Sequence, residues 1–255
     1  MIKVGIIGVG VVGGALRHWF EQKTTHTIAC LDPQKGLNDS LLKSDAIFIC
    51  IPVPSTNNGQ DLKELKDMAI YAKRLAPYVF IKSTVLPGTN DELGTISMPE
   101  FLTERRAVED MFKLPIVCGE PTLPDPNFKS LVESIFPSKE IHFMKNKEAE
   151  LSKFTHNCFA AIKVTFFNLM HRISRSNDSD FNMVKKGAAI TGYIEPTHTD
   201  VPGPDGKYGY GGKCFPENMQ ALETLLWNRQ LIPEEFKFIN KAIELNNIYR
   251  KIEVV

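Results

Sequence analysis

Short apolar runs alternate with amphipathic segments through the first part of the chain. The runs lie at residues 2–7, 26–32, 45–54, 78–89, 114–121 and 140–145, and helical periodicity follows the first run and recurs at 61–76. Strands that alternate with helices are typical of a parallel sheet with helices on both faces. The pattern therefore predicts an α/β fold with a doubly wound, Rossmann-type parallel sheet, which we expect the last two runs to close.

The pattern changes after this region, because residues 147–176 contain neither glycine nor proline and repeat apolar positions every three or four residues. This spacing predicts one long helix. A short helix at 180–190, a Gly- and Pro-rich loop at 191–214 and two further helices complete the chain. We therefore predict a Rossmann domain at residues 1–146 and an all-helical domain at residues 147–255.

Charge and cysteine usage narrow the class of protein. The 30 basic and 30 acidic residues cancel, so nucleic acid and anionic membranes are not the expected partners. No apolar run approaches the roughly 18 residues that span a bilayer. The five cysteines lie singly, without metal-finger spacing, which predicts a reduced, cytoplasmic protein without a bound metal.

A glycine motif follows the first apolar run, where Gly8, Gly10 and Gly13 give the spacing G-x-G-x-x-G. Between a strand and a helix, this spacing favours a dinucleotide, with its pyrophosphate at the helix N-terminus. Asp32 ends the next run, and a carboxylate there favours NAD over NADP, although Lys35 lies nearby. The alternative is a glycine-rich turn without a ligand. The predicted cofactor-binding residues are Gly8, Gly10, Val11, Val12, Gly13, Asp32, Pro52 and Thr84.

A second glycine-rich segment, "YGYGGKCFPEN" at 208–218, surrounds Cys214. A cysteine in such a loop is either accidental or presented to a ligand. On the predicted long helix, Lys153 and Asn157 are four residues apart and share a face. The alternative is a solvated lysine with a polar neighbour.

These segments together resemble the UDP-glucose/GDP-mannose dehydrogenase family. The matching stretches are "GIIGVGVVG", "IPVP", "STVLPGT", "PEFLTE", "ELSKFTHNCFAAIKVTFFN" and "GYGGKCFPEN", in the order that the family has them. The resemblance implies NAD-dependent oxidation of a nucleotide sugar's primary alcohol to a carboxylate. It also implies a homodimer formed through the long helix.

The resemblance implies a role for each matching residue. Cys214 would attack the aldehyde to give a thiohemiacetal and then a thioester, with Lys153 and Asn157 stabilising the oxyanion. Thr84 and Glu104 would handle the water or the substrate hydroxyl, and Glu100 would be a second carboxylate near that water. Asn218 stands at a further position of the catalytic set. The implied substrate-binding residues are Phe101, Leu102, Tyr208, Gly209, Tyr210 and Gly211.

The sequence also departs from the family. Asn218 stands where the family has aspartate and Glu217 where it usually has lysine, and the stretch before "PEFL" is shorter. The chain ends at Val255, so we expect a compact form without the family's C-terminal nucleotide domain. Two alternatives remain: a two-electron dehydrogenase of a smaller hydroxy compound, and a non-catalytic NAD-binding remnant.

Overall fold

The computed structural model describes residues 1–56, 59–229 and 232–254. The chain divides into two compact units. Unit 1 comprises Met1–Pro54 and Gln60–Lys153, and unit 2 comprises Ser55–Gly59 and Phe154–Val255. The domain boundary at residue 146 stays a prediction.

The secondary structure consists of short strands in the first part of the chain and longer helices in the second. The strands are β1 Lys3–Ile7, β2 Thr27–Asp32, β3 Leu37–Asn38, β4 Ala46–Ile49, β5 Ser55–Thr56, β6 Gly59–Gln60, β7 Tyr78–Ile81, β8 Ile96–Ser97, β9 Ile116–Glu120 and β10 Ile141–Lys145. The helices are α1 Val11–Lys23, α2 Lys63–Lys73, α3 Thr89–Leu93, α4 Ala107–Lys113, α5 Phe128–Ile135, α6 Asn146–Ser176, α7 Phe181–Ala188, α8 Cys214–Arg229 and α9 Pro233–Tyr249.

The main sheet of unit 1 has the order β3-β2-β1-β4-β7-β8. Its strands pair in parallel except for β3, which runs antiparallel to β2. The chain winds to one side of β1 through β2 and to the other through β4, so the switch point lies between β1 and β4. Ligands of such sheets bind at the carboxyl ends of the strands at this point. The α/β, Rossmann-type class predicted from the sequence is confirmed.

Successive side chains of the sheet fill two different cores. Phe48 and Phe80 stack at 5.0 Å between ring centroids and pack with Trp19 and Phe20 of α1 and Phe136. On the opposite face, the isoleucines and valines of β4 and β7 pack against the leucine and alanine stripe of α2. Burial of both faces explains why the central strands appear in the sequence as continuous apolar runs.

The expectation that β9 and β10 close the main sheet is wrong. They pair in parallel with each other, Ile141 opposite Ile116, as a separate two-stranded sheet. The side chain of Asn146 explains the break, because its Oδ1 accepts a hydrogen bond of 2.9 Å from the backbone N–H of Ser97 in β8. A Cβ at Gly119 of β9 would lie only 2.2 Å from the same oxygen, so Asn146 Oδ1 also packs closely against this strand. The Asn146 side chain thus lies between β8 and β9, where backbone hydrogen bonds would otherwise join the two strands.

Unit 2 contains the C-terminal part of α6 together with α7, α8 and α9. The long helix predicted from residue 147 is confirmed, and its buried side chains in this unit include Phe154 and Phe167. Helix α7 begins after Asp180, whose side chain accepts a hydrogen bond from the N–H of Asn182 as an N-cap. Within the part of the chain that the structure describes, no helix is long and apolar enough to cross a membrane.

Candidate active site

The glycine turn after β1 has the geometry of a phosphate-binding loop. Gly8 has a φ of +82°, and a Cβ there would lie 2.8 Å from the carbonyl oxygen of Cys50. A Cβ at Gly13 would lie 2.0 Å from the Gly8 carbonyl oxygen, so both positions require glycine. A Cβ at Gly10, the residue before α1, would meet no atom within 4 Å. The open side of the turn therefore lies at the helix N-terminus, where a pyrophosphate fits.

Asp32 is held against this turn from the end of β2. Its Oδ2 accepts a hydrogen bond of 2.8 Å from the N–H of Val9. The ammonium of Lys35 donates to the carbonyl oxygen of Val9 at 2.5 Å, so this lysine is bound to the backbone of the turn. The carboxylate position beside the turn fits a ribose diol and disfavours a 2′-phosphate.

The loop after β7, which carries Thr84, is anchored by a buried carboxylate on α6. Glu150 accepts hydrogen bonds from the N–H of Gly88 at 2.6 Å and from the backbone and side-chain amides of Asn90, both at 2.8 Å. Burial raises the pKa of Glu150, although these three donors act in the opposite direction. The carbonyl oxygen of Thr84 itself accepts from Gln60 at 2.9 Å. Thr84 therefore lies on a fixed loop at the carboxyl edge of the sheet, where Pro52 follows β4.

Several predicted site residues come together in unit 1 around Glu100. Its Oε2 accepts a hydrogen bond of 2.6 Å from the N–H of Leu102, and its Oε1 lies 3.7 Å from Lys153 Nζ. The Lys153 ammonium also lies 5.2 Å from the centre of the Phe101 ring. Lys153 is only 5% exposed. Glu104, in contrast, is exposed on a short 3₁₀ turn that follows this segment.

The loop that carries Cys214 is fixed in unit 2 by two buried asparagines. Asn168 of α6 accepts a hydrogen bond of 2.9 Å from the N–H of Gly209. Asn246 of α9 accepts from the N–H of Tyr210 at 2.6 Å and donates to its carbonyl oxygen at 3.2 Å. Gly209 has a φ of +72°, and a Cβ there would lie 2.5 Å from Asn246 Oδ1. This clamp explains the glycine at 209.

Cys214 is exposed and is the first residue of α8. Unpaired N–H groups at a helix N-terminus favour a thiolate over a thiol. Burial raises the pKa of Cys50 and of Cys158 to about 12 in both cases, which keeps these thiols neutral. Among the five cysteines, Cys214 therefore has the surroundings expected of a nucleophile.

Asn157 and Asn218 form a buried pair in unit 2. The amide nitrogen of Asn157 donates to Asn218 Oδ1 at 2.6 Å, and both residues are nearly inaccessible to solvent. The carbonyl oxygen of Asn218 also accepts from the thiol of Cys158 at 3.6 Å. Asn218 thus lies one helical turn beyond Cys214 with its side-chain oxygen aimed at a predicted catalytic residue.

The remaining predicted residues have mixed surroundings, and their roles stay predictions. Tyr208 and Tyr210 are buried, whereas Val11 is exposed and Val12 and Gly211 are half-buried. Across the described residues, no cluster of three or more His, Cys, Asp or Glu side chains has the arrangement of a metal site.

Sequence reasoning missed three residues that hold the site in place: Glu150, Asn168 and Asn246. A usable signal existed for two of them. Glu150 lies three residues before Lys153 and so on the same helix face. Asn246 continues the spacing of the buried residues Ile239 and Ala242 on α9, and a polar residue in an apolar stripe indicates a buried partner. Asn168 gave no comparable signal.

The parallel sheet, its glycine turn and the carboxylate after β2 define a Rossmann-type dinucleotide-binding protein with a helical second unit. Residues 147–248 match the central domain of the UDP-glucose/GDP-mannose dehydrogenase family. The resemblance to this family that the motifs indicate is confirmed. The dehydrogenases of this family are NAD-dependent oxidoreductases, and the turn around Gly8 and Asp32 fits that cofactor.

Similar proteins include UDP-glucose 6-dehydrogenase YwqF of Bacillus subtilis, which is 29% identical over 241 residues, 85% of this chain and 52% of the relative. A UDP-glucose 6-dehydrogenase of Rhizobium meliloti is 30% identical over 234 residues, 80% of this chain and 52% of the relative. The chain therefore spans about half the length of these curated relatives.

Solved structures have the same fold. A UDP-glucose dehydrogenase from Pyrobaculum islandicum superposes with a TM-score of 0.79 at 23% identity, covering 96% of this chain and 68% of that protein. A GDP-mannose dehydrogenase from Pseudomonas aeruginosa gives a TM-score of 0.63 at 21% identity, covering 97% and 69%.

Proposed function

We propose that this chain oxidises the primary alcohol of a UDP-glucose-like nucleotide sugar to the carboxylate, with NAD as the oxidant and Cys214 as the nucleophile. The observation that carries the proposal is the exposed Cys214 at the start of α8, after a loop clamped by Asn168 and Asn246. The match of residues 147–248 to the central domain of the UDP-glucose/GDP-mannose dehydrogenase family supports the reaction class. UDP-glucose is the expected type of substrate because the similar proteins of Bacillus subtilis and Rhizobium meliloti are UDP-glucose 6-dehydrogenases.

The residues of unit 1 bind and orient the cofactor in this proposal. The open face at Gly10 and the N-terminus of α1 accept the pyrophosphate, and Asp32 accepts hydrogen bonds from the ribose hydroxyls. Bound NAD supplies the oxidising equivalents for both oxidation steps. Pro52 and Thr84 lie at the carboxyl edge of the same sheet, where a nicotinamide is expected.

The nucleophilic step belongs to Cys214. Its thiolate attacks the aldehyde carbon, so that a C–S bond forms and the carbonyl electron pair moves to oxygen. Lys153 and Asn157 donate hydrogen bonds to this oxyanion. Oxidation of the thiohemiacetal then gives a thioester on Cys214.

Hydrolysis completes the reaction. A water molecule attacks the thioester carbon, the C–S bond breaks, and Cys214 leaves as a thiolate. Thr84 and Glu104 position the water or the substrate hydroxyl, and Glu100 supplies a second carboxylate. Asn218 can orient a neighbour through its amide but carries no charge. We therefore expect hydrolysis to be the slow step.

The proposal is tested by counting NADH formed for each sugar consumed, with a panel of UDP- and GDP-sugars. Two NADH for each sugar support the proposal. One NADH, with activity retained in Cys214→Ala, would instead show a two-electron dehydrogenase. An absence of NADH with every sugar, together with NADH binding, would show a non-catalytic NAD-binding module. Cys158→Ala, which removes a buried thiol, is the matched control.

We also propose that the chain forms a homodimer through α6. The helix exposes an apolar stripe of four side chains, each more than 40% exposed: Phe159, Phe166, Leu169 and Ile173. Residues at these spacings share one face of a helix, and an exposed apolar stripe of this kind favours a second copy of the same helix. The cytoplasmic location inferred from the isolated cysteines stays a prediction.

A further inference from the structure

A buried lysine, Lys82, acts electrostatically on Glu100 and Lys153. Lys82 directly follows β7, and its backbone N–H donates to the carbonyl oxygen of Ile49 at 2.9 Å, which fixes its main chain in the sheet. Its side chain is only 5% exposed. Among the residues that the structure describes, its ammonium has neither a hydrogen bond nor an ion pair. A buried ammonium without a partner lowers the stability of the folded protein.

Lys82 lines a small cavity. In the described part of the chain, every fully buried side-chain nitrogen or oxygen has a partner, so the unpartnered ammonium must still reach solvent-sized space. Lys82 lines a cavity of about 20 Å³ together with Glu100 and Asp110, which is room for about one water molecule. Asp110 Oδ2 is engaged by the N–H of Thr103 at 2.8 Å. One oxygen of Glu100 is engaged in the same way by the N–H of Leu102. Of the two carboxylates, however, Glu100 is the one whose charge acts on the Lys82 ammonium, so it is the acceptor expected for a water bound by Lys82.

The charges around Lys82 single out Glu100. Burial lowers the pKa of Lys82, Lys153 lowers it further, and Glu100 and the thiols of Cys50 and Cys118 act in the opposite direction. Burial raises the pKa of both thiols, Cys50 to about 12, so both are neutral at ordinary pH. Lys82 and Lys153, both buried, are therefore attracted to the same carboxylate, that of Glu100.

The shared carboxylate matters because Lys153 has another task in the proposed reaction. If Glu100 paired with Lys153 alone, it would hold the ammonium that the substrate oxyanion needs. In the structure the pair is loose, with 3.7 Å between Lys153 Nζ and Glu100 Oε1. The second Glu100 oxygen is tied to the N–H of Leu102. A second cation that also attracts Glu100 would keep the pair in this loose arrangement.

We propose that Lys82 is a positioning residue that holds Glu100 through one water molecule in this cavity and thereby leaves the Lys153 ammonium available to the substrate oxyanion. The inference rests on the proposed function for its catalytic consequence, while the coupling between Lys82 and Glu100 is independent of it. Lys82 itself touches neither the substrate nor the cofactor in this account.

The first test measures the coupling without any activity. Lysines labelled with ¹³C at Cε are followed by NMR through a pH titration, and the Lys82 signal is assigned by its absence in Lys82→Met. We expect Lys82 to titrate below ordinary lysines, and Glu100→Gln to lower its midpoint further because an attracting charge is lost. Glu104→Gln, in the same segment, is the control and should leave the midpoint unchanged. Equal midpoints in Glu100→Gln and wild type would overturn the inference.

The second test separates positioning from a merely structural role. Lys82→Met should lower kcat for NADH production roughly 10- to 100-fold, with KM little changed, because a reacting group is misplaced. In wild type the rate should fall as pH rises through the Lys82 titration, and Lys82→Met should lose this limb of the pH profile. Lys163→Met, which removes a half-buried ammonium bonded to the carbonyl oxygen of Glu195 in unit 2, is the matched control and should retain it.

The two tests distinguish a failure of the proposed function from a failure of the role inferred for Lys82. An inactive wild type in which Glu100→Gln still shifts Lys82 would reject the proposed function and leave the coupling standing. An active wild type whose pH profile is the same in Lys82→Met would overturn the positioning role.

Discussion

Asp32 is the residue on which cofactor choice depends. Its carboxylate is anchored to the N–H of Val9, so the side chain is already in place before a ribose binds. Hydrogen bonds to a charged group contribute about 1.5–3 kcal/mol each. We therefore expect Asp32→Ala to weaken NADH binding roughly 10- to 100-fold, and wild type to bind NADH more tightly than NADPH, as measured by calorimetry.

Asp39→Ala provides the matched control for this variant. Asp39 likewise accepts a backbone hydrogen bond, from the N–H of Cys30 at 2.9 Å, but it lies beyond the predicted ribose position. Its loss should leave NADH affinity unchanged. Tighter binding of NADPH than NADH by wild type would contradict the assignment of Asp32.

Asn218 stands where the UDP-glucose/GDP-mannose dehydrogenase family, which this chain resembles, has aspartate. Its Oδ1 accepts a hydrogen bond from Asn157, and an aspartate would keep that bond while adding a negative charge in the first turns of α8, where the helix dipole favours it. A charged group that stabilises a transition state contributes about 2–4 kcal/mol. We expect Asn218→Asp to speed the slow phase after the NADH burst roughly 30- to 1,000-fold, measured by stopped-flow absorbance.

The neighbouring substitution Glu217→Gln is the control for Asn218→Asp, because it changes charge in the same turn without touching Asn157. It should leave the slow phase as it is. A slow phase that Asn218→Asp does not accelerate would remove Asn218 from the hydrolytic step.

Helix α9 fixes the loop that precedes Cys214 through two hydrogen bonds between Asn246 and the backbone of Tyr210. Loss of both bonds to Tyr210 in Asn246→Ala leaves a buried N–H and a buried carbonyl without partners, at a cost of about 1–3 kcal/mol each. We expect lower stability in chemical denaturation and faster amide hydrogen exchange in peptides covering residues 205–214.

Asn240→Ala, two turns earlier on α9, is the matched control. Asn240 donates to Glu223 of α8 at 2.6 Å rather than to the loop. It should leave exchange at 205–214 unchanged. Equal exchange in wild type and Asn246→Ala would mean that α9 does not fix the loop.

Some of the secondary-structure elements could be predicted from the sequence and others could not. The long helix α6 and the glycine turn were predictable because periodicity and G-x-G-x-x-G spacing are local properties. The separation of β9 and β10 from the main sheet was not, because it depends on the side chain of Asn146 reaching Ser97 across 49 residues of sequence. The clamp on Gly209 by Asn168 was hidden for the same reason.

For the whole molecule, the apolar stripe on α6 predicts self-association. Phe159 is 66% exposed, and a charge there would be buried without a partner in a helix-to-helix interface. We expect wild type to sediment as a dimer at micromolar concentration and Phe159→Glu as a monomer. Phe238→Glu, at a phenylalanine on α9 that is 59% exposed, should remain a dimer. A wild type that is monomeric at every concentration would contradict the proposal.

The activity proposed for the whole molecule requires covalent chemistry at Cys214, which intact-mass spectrometry after mixing with NAD and UDP-glucose detects. We expect a protein population heavier by one oxidised nucleotide sugar, which accumulates because hydrolysis without a charged residue at 218 is slow. The added mass should be absent in Cys214→Ala and present in Cys158→Ala. Steady NADH production with an unchanged protein mass would contradict a covalent intermediate on Cys214, and so would full activity in Cys214→Ala.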